Sequence, residues 1–245
     1  MLDRLRKSGF ELQFTNHAAA ILEHDFHEFA DDLESALAGI SIPITEIVGR
    51  GGGEAKSTQR LRASLNERGW SKHNFELTKI VDGVAKESIT HEIDHVKRIA
   101  SGTIAFEIEW NNKDPFFDRD LENFKRLHAE GAISIGGIVT RGSIMQETMR
   151  DRLLQFAVQR RVGSFQELEA FEAGSPTVPQ RKQVEAEVAR GRSFAEAWSR
   201  MFTASKYGQA TTHWLKLMDR IARGVGNPCP LILVGLPESL IDMDS

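Results

Sequence analysis

The sequence predicts a mixed α/β fold, of the α+β type, in which a β-sheet is flanked by helices. Three observations predict it. Between residues 73 and 110 apolar and polar residues alternate over three consecutive stretches, HNFELTKI, ESITHEIDHVKRI and TIAFEIEW, as in half-buried strands. On both sides of this region apolar residues recur every three or four positions, as in amphipathic helices. Two short apolar runs, AISIGGIVT and CPLILVGL, have the length of buried strands.

The composition is that of an ordinary globular protein. The chain has 245 residues, of which 40% are hydrophobic and 27% charged. A single cysteine, Cys229, excludes an internal disulfide and leaves no cysteine pair for zinc, so a reducing compartment, the cytoplasm, is expected. No apolar run is long enough to span a membrane, and the N-terminus lacks the features of a secretion signal. The formal net charge of -4 means that any DNA-binding surface must be local.

The N-terminal quarter is predicted to be helical. One amphipathic helix is expected over Thr15–Leu37, and a glycine run at residues 51–53 precedes a second helix that Gly69 ends. A phosphate-binding P-loop is excluded because Ala55 stands where that motif needs glycine before the lysine. The glycine run is therefore interpreted as a flexible turn. The apolar residues of the first helix are Leu22, Phe26, Phe29, Leu33 and Leu37.

The middle of the chain is predicted to form a meander of strands followed by a helix. Asp82-Gly83 is typical of a hairpin turn between the first two strands. Pro115 opens a helix that Gly131 ends, and the next strand ends before Arg141. From residue 143 onward the pattern is mostly helical, with a loop at AGSPTVP, until the strand in CPLILVGL.

Carboxylates on two neighbouring strands suggest chemistry. Glu107 and Glu109 share one face of TIAFEIEW, and if residues 99–102 form a four-residue turn, Asp94 lies opposite Glu107 and Glu92 opposite Glu109. Opposed side chains in a sheet are about 4.5 to 5.5 Å apart, where like charges repel. Mg²⁺, which prefers oxygen ligands, would compensate for the repulsion, and this favours metal-assisted hydrolysis at phosphorus.

Two other interpretations of these carboxylates remain open at this point. Glu107 and Glu109 could line the solvated outer face of an edge hairpin, since antiparallel sheets often have one wet face. A glycosidase could use two carboxylates at such a spacing. The chain has only one tyrosine and four tryptophans, which is poor in aromatic residues for a sugar-binding cleft.

A long run of the sequence resembles a known enzyme family. THEIDHVKRIASGTIAFEIEWNNKDPFFDRDLENFKRLHAEGAISIGGIVTRG is similar to the type II restriction endonucleases of the BglII/BstYI (BamHI-like) family in the PD-(D/E)xK nuclease superfamily. GGGEAKSTQRLRASLNERGW and SKYGQATTHWLKLMDRIARGVGNPCPLILVGL also resemble it, whereas residues 160–200 do not.

The resemblance implies a restriction-endonuclease-like core with a central mixed β-sheet flanked by helices. It implies a single domain over residues 1–245, with the catalytic core at about 50–142, a helical dimerisation or DNA-wrapping region at about 143–204, and a C-terminal helix and strand at 205–245. Dimerisation is expected through the helices around Leu121–Glu130 and Ser143–Val158, and the region near Phe194–Phe202 is expected to wrap DNA.

The implied activity is Mg²⁺-dependent hydrolysis of double-stranded DNA at a short palindrome, which leaves 5′ overhangs of four bases. The implied partners are double-stranded DNA, a second copy of the chain, and a cognate DNA methyltransferase that acts on the same site without forming a stable complex, all in the bacterial cytoplasm and with no membrane. The alternative is a non-catalytic DNA-binding or regulatory protein that keeps the fold; the intact acidic residues favour the enzyme.

The resemblance also implies roles for individual acidic residues. The superfamily motif falls on Asp94, Glu107 and Glu109, and Glu109 stands where most members have lysine. Asp94 and Glu107, with Glu109, are expected to bind metal; Glu109 either orients or deprotonates the attacking water or binds a second metal ion. A further catalytic acid is expected from Glu54, with Glu67 and Asn66 as rivals, although an acid beside a helix start is common in any case.

Residues that touch DNA are expected after the catalytic strand and in the loop SKYGQATTH. Asn typically pairs with adenine and Arg with guanine, while other contacts go to the backbone. For each residue the alternative is a helix cap or a solvated charge. The expected base readers are Asn111 and Asn112, then Lys113 and Arg119, with Arg141 in a second reading position; the expected backbone or groove contacts are Lys206, Tyr207, Thr211 and His213.

Overall fold

A computed structural model describes residues 2–50 and 53–245, and its centre is a six-stranded mixed sheet. The strand order is β1-β7-β6-β5-β4-β3, and a separate parallel pair joins β2 to β8. The strands are β1 Glu11–Thr15, β2 Ile42–Pro43, β3 Ser71–Val81, β4 Val84–Ile99, β5 Gly102–Glu109, β6 Ile135–Arg141, β7 Leu231–Leu236 and β8 Ile241–Asp242.

Helices pack on both faces of this sheet. They are α1 Asp3–Lys7, α2 Ala18–Asp25, α3 His27–Ala38, α4 Ile44–Val48, α5 Lys56–Glu67, α6 Pro115–Ala129, α7 Ser143–Gln159, α8 Phe165–Glu169, α9 Val178–Ala189, α10 Phe194–Lys206 and α11 Trp214–Ala222, with a 3-10 turn at Glu238–Leu240. β5, β6 and β7 run parallel, and β1, β4 and β3 join antiparallel. The predicted mixed sheet flanked by helices is confirmed. No helix in the described part of the chain is long and apolar enough to span a membrane.

The N-terminal region differs from the prediction of one long helix. Residues 11–15 form β1, and the helical stretch is divided into α2 and α3 at Phe26, whose φ of -138° is not helical. The helical periodicity survives the break because all five predicted apolar residues are buried in one core. Gly69 follows α5 with φ +84°, as its predicted role in ending the helix requires. The predicted flexible turn includes Gly51 and Gly52, which lie outside the described residues.

The hairpin between β4 and β5 has the predicted register, but only over a short distance. Arg98 pairs with Thr103, and the pairing ends at His95 and Phe106. Beyond that point β4 pairs with β3 alone, and the two pairs Ser71–Val96 and His73–Ile93 enclose one extra residue on β4, which is a β-bulge at Asp94 and His95.

The bulge corrects one expectation about the acidic face. Glu92 does not pair with Glu109, because the β4–β5 ladder ends before either residue; Glu92 pairs with Asn74 and forms an exposed ion pair with Lys72 at 2.6 Å. The extra residue places Asp94 at the point where β4 separates from β5.

The two faces of β5 contribute to different halves of the core. Ile104 and Phe106 pack into the larger apolar cluster, whereas Ala105 packs with Phe117 and Leu121 of α6 in a second cluster. α6 therefore covers the face that carries Glu107 and Glu109. The interpretation of these residues as a solvated outer face is wrong, since both are buried.

Gly137 in β6 allows close packing against Phe106, on the face of the sheet opposite Glu107 and Glu109. A Cβ at position 137 would lie 1.9 Å from a ring carbon of Phe106 and meet two more ring atoms within 2.7 Å. We expect Gly137→Ala to lower the free energy of unfolding by about 3 kcal/mol, at the upper end of the usual cost of overpacking, as measured by urea unfolding. Gly53→Ala is the control, because its Cβ would meet nothing within 4 Å and should leave stability unchanged. A Gly137→Ala variant as stable as wild type would contradict this packing.

Candidate active site

Three carboxylates are buried together where β5 ends. Glu107 and Glu109 of β5 are 5% and 3% exposed, and Asp120 of α6, at 1%, lies beside them. The backbone N–H of Asp94 points at Glu107 Oε1 from 3.4 Å. The carboxylate of Asp94 is itself more than half exposed, on the rim of this buried group. The structure thus brings together three of the predicted residues, Asp94, Glu107 and Glu109.

The buried carboxylates strongly favour their protonated forms in the absence of a cation. Burial, followed by the charges of Asp120 and Asp94, raises the pKa of Glu107 to about 9. Burial and Asp120 also raise the pKa of Glu109 to about 8, against the opposing effect of its hydrogen bond from Asn112. A bound cation would release these protons, so the region has the electrostatic character of a metal site.

Two side chains hold the carboxylate of Glu109. Asn112 Nδ2 donates a hydrogen bond to Glu109 Oε2 at 2.6 Å. Arg119 Nη2 lies 3.5 Å from Glu109 Oε1 and 2.7 Å from Asp120 Oδ1, and Arg119 Nε donates to the same Asp120 oxygen at 2.8 Å. Glu109 is therefore fixed between an amide and a guanidinium.

The donor set fits a hard divalent cation. Carboxylate oxygens are the ligands that Mg²⁺ prefers, and those of Glu107 and Glu109 lie buried beside Asp120. Among the described residues no group of three or more His, Cys, Asp or Glu side chains is spaced as a complete metal cage. Asp94 lies 3.5 Å from Lys72 Nζ. Mg²⁺ usually takes only one or two protein carboxylates and keeps water and phosphate oxygens, so the donors present suffice.

Glu54 pairs with an arginine of α5. It stands two residues before α5 and forms an ion pair with Arg62 at 2.7 Å, with about a third of its side chain exposed. The rival residues Asn66 and Glu67 are exposed at the other end of α5. The geometry gives Glu54 no contact that would support a catalytic role.

Asp120 is the residue that sequence reasoning missed. It occupies the apolar stripe of α6 together with Phe117, Leu121, Phe124 and Leu127, all of them buried. An aspartate at such a position is rarely buried without a partner, so its place in the helical period could have identified it. What the sequence did not show is that this stripe packs across Glu107 and Glu109.

The predicted DNA-contacting segments lie side by side. A β-bridge joins Lys113 to Thr211, and the backbone N–H of Asn112 donates to Thr212 Oγ1 at 3.0 Å. Asn111 donates from Nδ2 to the carbonyl of Lys206 at 3.0 Å. Among the predicted base readers Asn112, Lys113 and Arg119 are exposed, and the side chains of Asn112 and Arg119 also contact Glu109.

Other predicted DNA contacts are buried. Arg141 is fully buried, and burial lowers its pKa to about 10. It donates to the carbonyl of Trp110 at 2.9 Å, to the carbonyl of Thr212 at 2.7 Å and to Thr211 Oγ1 at 2.6 Å. Tyr207 is buried and donates to the carbonyl of Ile47.

His213 and Lys206 are likewise turned inward. Burial, then Arg141, lowers the pKa of His213 to about 4. Lys206 donates to the carbonyls of Ile47 at 2.8 Å and Gly49 at 2.6 Å, and burial lowers its pKa to about 8. In this conformation Arg141, Tyr207 and Lys206 donate to backbone carbonyls of neighbouring segments rather than present groups to DNA. His213 is buried, and neither of its ring nitrogens has a hydrogen-bond partner among the described residues.

The central mixed sheet flanked by helices is consistent with a restriction-endonuclease-like fold, and comparison with known families identifies a site-specific deoxyribonuclease. The family described as restriction endonuclease BglII/BglIII matches residues 10–236, a range that includes residues 160–200. The chain belongs to the BglII/BglIII restriction endonuclease family and is a type II restriction endonuclease that binds double-stranded DNA. No curated protein matches the chain.

Proposed function

We propose that this enzyme hydrolyses both strands of a short palindromic DNA site in a Mg²⁺-dependent reaction. The observation that carries the proposal is the burial of Glu107, Glu109 and Asp120 together, with Asp94 at the rim. Such a cluster is destabilising in a metal-free protein and is accounted for by a cation-dependent function.

In the proposed reaction Asp94 and Glu107 would hold the ion, and Glu109 would orient the attacking water. When bound, Mg²⁺ supplies Lewis-acid polarisation of the phosphate and favours deprotonation of water. Asn112 and Arg119 fix the orientation of the Glu109 carboxylate, and burial by α6 limits access of other water to it. Glu54 has no role in this proposal.

Sequence recognition is proposed for the exposed part of the segment after β5. Asn112 and Lys113 supply contacts to DNA, and Asn111 and Thr211 hold the segment in place. Asn112 also donates to Glu109, so the amide that contacts a base edge must give up or share this hydrogen bond. This arrangement links recognition of the site to the carboxylate that acts on water.

We expect Asn112→Ala to weaken binding to the recognised site by about 5- to 150-fold, which corresponds to 1 to 3 kcal/mol for one bidentate base contact. Binding to a scrambled duplex should change little, because phosphate contacts remain. Fluorescence anisotropy with both duplexes measures the difference. Asn74→Ala on the exposed strand β3 is the control. Equal losses on both duplexes would argue against base contact by Asn112.

A symmetric homodimer is proposed because a palindrome presents two identical half-sites. α7 offers a surface: Ile144 and Val158 are exposed and about four helical turns apart, so they lie on nearly the same side. α6 contributes less, since Leu121, Phe124 and Leu127 are buried within the subunit. The products are proposed to carry 5′ overhangs of four bases, and the proposed setting is the bacterial cytoplasm with a cognate methyltransferase.

Incubation with unmethylated phage DNA tests the activity. Discrete fragments with Mg²⁺ and none with EDTA are expected, and end-sequencing should give one palindrome with four-base 5′ extensions. Light scattering on cognate DNA should give two 27.4 kDa subunits. DNA binding without fragments in several salts and substrates would favour the non-catalytic alternative, and blunt ends or a single subunit that cuts both strands would contradict the dimer and overhang proposals.

A further inference from the structure

Arg119 and Asp120 form a unit that neither the motif nor the fold requires. Asp120 is a charged residue on the apolar stripe of α6, where a hydrophobic residue of similar size would stabilise the fold as well or better. Its ion-pair partner is Arg119, through Nε and Nη2. The other oxygen, Asp120 Oδ2, is buried and has no hydrogen-bond partner among the described residues.

Three side chains hold the guanidinium of Arg119, two at one edge and one beneath its plane. Asp120 binds one edge, Glu109 lies 3.5 Å from the same edge, and the ring of Phe116 lies 4.3 Å beneath the guanidinium plane. An arginine side chain normally loses much rotamer freedom when it binds a ligand, and this support removes part of that loss in advance. The side chain is nevertheless 53% exposed, and its contacts with Asp120 and Glu109 use Nε and Nη2, not Nη1.

The charges around Arg119 indicate that the ligand is a phosphate group. The carboxyl groups of Asp94, Glu107, Glu109 and Asp120 lie together, and each of them repels an approaching phosphate when it is ionised. Glu109 occupies the motif position where a lysine would supply positive charge. Arg119 lies beside the buried carboxylates and presents a fork of N–H donors suited to a phosphate group.

We propose that Arg119 binds a DNA phosphate at the active site and that Asp120 is a positioning residue that holds Arg119 for this contact. The inference rests on the proposed nuclease function. It differs from the sequence-based expectation that Arg119 reads a base, because a phosphate contact acts on every DNA sequence alike. Asp120 acts on the phosphate contact through Arg119, and its charge also raises the pKa values of Glu107 and Glu109.

The test compares the salt dependence of binding to the cleaved site and to a scrambled duplex, with the full-length protein and no divalent metal. Each lost phosphate contact should reduce the slope of log affinity against log salt by about 0.9, so that affinity falls about 3.5-fold less between 50 and 200 mM salt. Arg119→Ala should show this reduction on both duplexes. Asp120→Asn should reduce the slope in the same direction, and the double variant should match Arg119→Ala.

Two further measurements distinguish positioning from a structural role. Single-turnover cleavage should fall about 100-fold in Arg119→Ala, the usual cost of losing one donor to a developing charge. The melting temperature of Asp120→Asn should be no lower than that of wild type, because one of the mutually repelling carboxylates is gone. Arg126→Ala is the matched control, a half-exposed arginine on the same helix that pairs with Glu122; it should keep the wild-type slope and rate.

Several results would overturn the inference while leaving the nuclease function intact. These are a wild-type slope in Arg119→Ala, a loss confined to the cleaved site, or additive losses in the double variant. A lower melting temperature in Asp120→Asn with an unchanged slope would make Asp120 structural. If wild-type protein fails to cut any DNA, the proposed function itself is wrong, an outcome that the cleavage assay identifies separately.

Discussion

Glu107→Gln is expected to reduce DNA cleavage by more than about 100-fold while DNA binding stays the same or tightens. Residues that merely support a metal ligand typically cost 10- to 100-fold when they are changed, so loss of a ligand should cost more. With a pKa of about 9, Glu107 is mostly protonated in the metal-free protein at neutral pH, so glutamine leaves the local charge and DNA binding unchanged; at higher pH glutamine replaces a carboxylate that repels phosphate, and binding tightens. Single-turnover cleavage and anisotropy on one duplex measure the two effects separately.

The control for this experiment is Glu87→Gln. Glu87 lies on the same strand pair as Asp94 but near the exposed end of the β3–β4 hairpin, opposite Lys79. It should cut at the wild-type rate. If Glu107→Gln cut as fast as Glu87→Gln, the assignment of the buried carboxylates to catalysis would be wrong.

Metal-free protein is expected to lose stability as pH rises, and Glu107→Gln is expected to remove much of that loss. The pKa of Glu107 is about 9 in the folded protein, above its unfolded value of 4.5. The folded state therefore binds more protons than the unfolded state between these values. The stabilising contribution of protonated Glu107 is fully present below pH 4.5 and is lost as pH rises through 9. Glu109 acts in the same direction.

Urea unfolding at pH 5.5 and 8.5, without metal, measures this effect. One pKa unit corresponds to 1.36 kcal/mol. Between pH 5.5 and 8.5 the free energy of unfolding of wild type should therefore fall by about 1 to 4 kcal/mol more than that of Glu107→Gln. The comparison is needed because His213 and Lys206, whose pKa values are lowered to about 4 and about 8, change stability in the opposite direction. Mg²⁺ should stabilise wild type more at pH 8.5 than at 5.5. Parallel pH profiles for the two proteins would contradict the account.

Local pattern was sufficient to predict much of the sheet. The alternation in β3 to β5 and the turn at Asp82-Gly83 predicted the strands. The pairing of Arg98 with Thr103 was predicted correctly, although the four-residue turn assumed for residues 99–102 is shorter because Ile99 also pairs with Gly102. The shared face of Glu107 and Glu109 followed from the period of two. These features depend on residues close in sequence, where spacing and geometry are directly related.

Features that depend on long-range packing could not be predicted in this way. The bulge at Asp94 follows from pairing with β3, which removes Glu92 from the acidic face. Burial of Glu109 follows from the position of α6, which brings Asp120 to the site. The position of Arg141 at the end of a strand predicted an exposed side chain. The side chain is buried instead, because a loop some 70 residues later in the chain encloses it.

The central claim is that Asp94 and Glu107 bind the catalytic metal ion beside the scissile phosphate. Its most direct test is anomalous scattering from crystals of the enzyme with its cleaved DNA sequence and Mn²⁺ in place of Mg²⁺. The account predicts an anomalous peak in each subunit that contacts the carboxylates of Asp94 and Glu107 and a phosphate oxygen, and no such peak in Glu107→Gln. An ordered DNA complex with no peak there, or with a peak held by other residues, would contradict it.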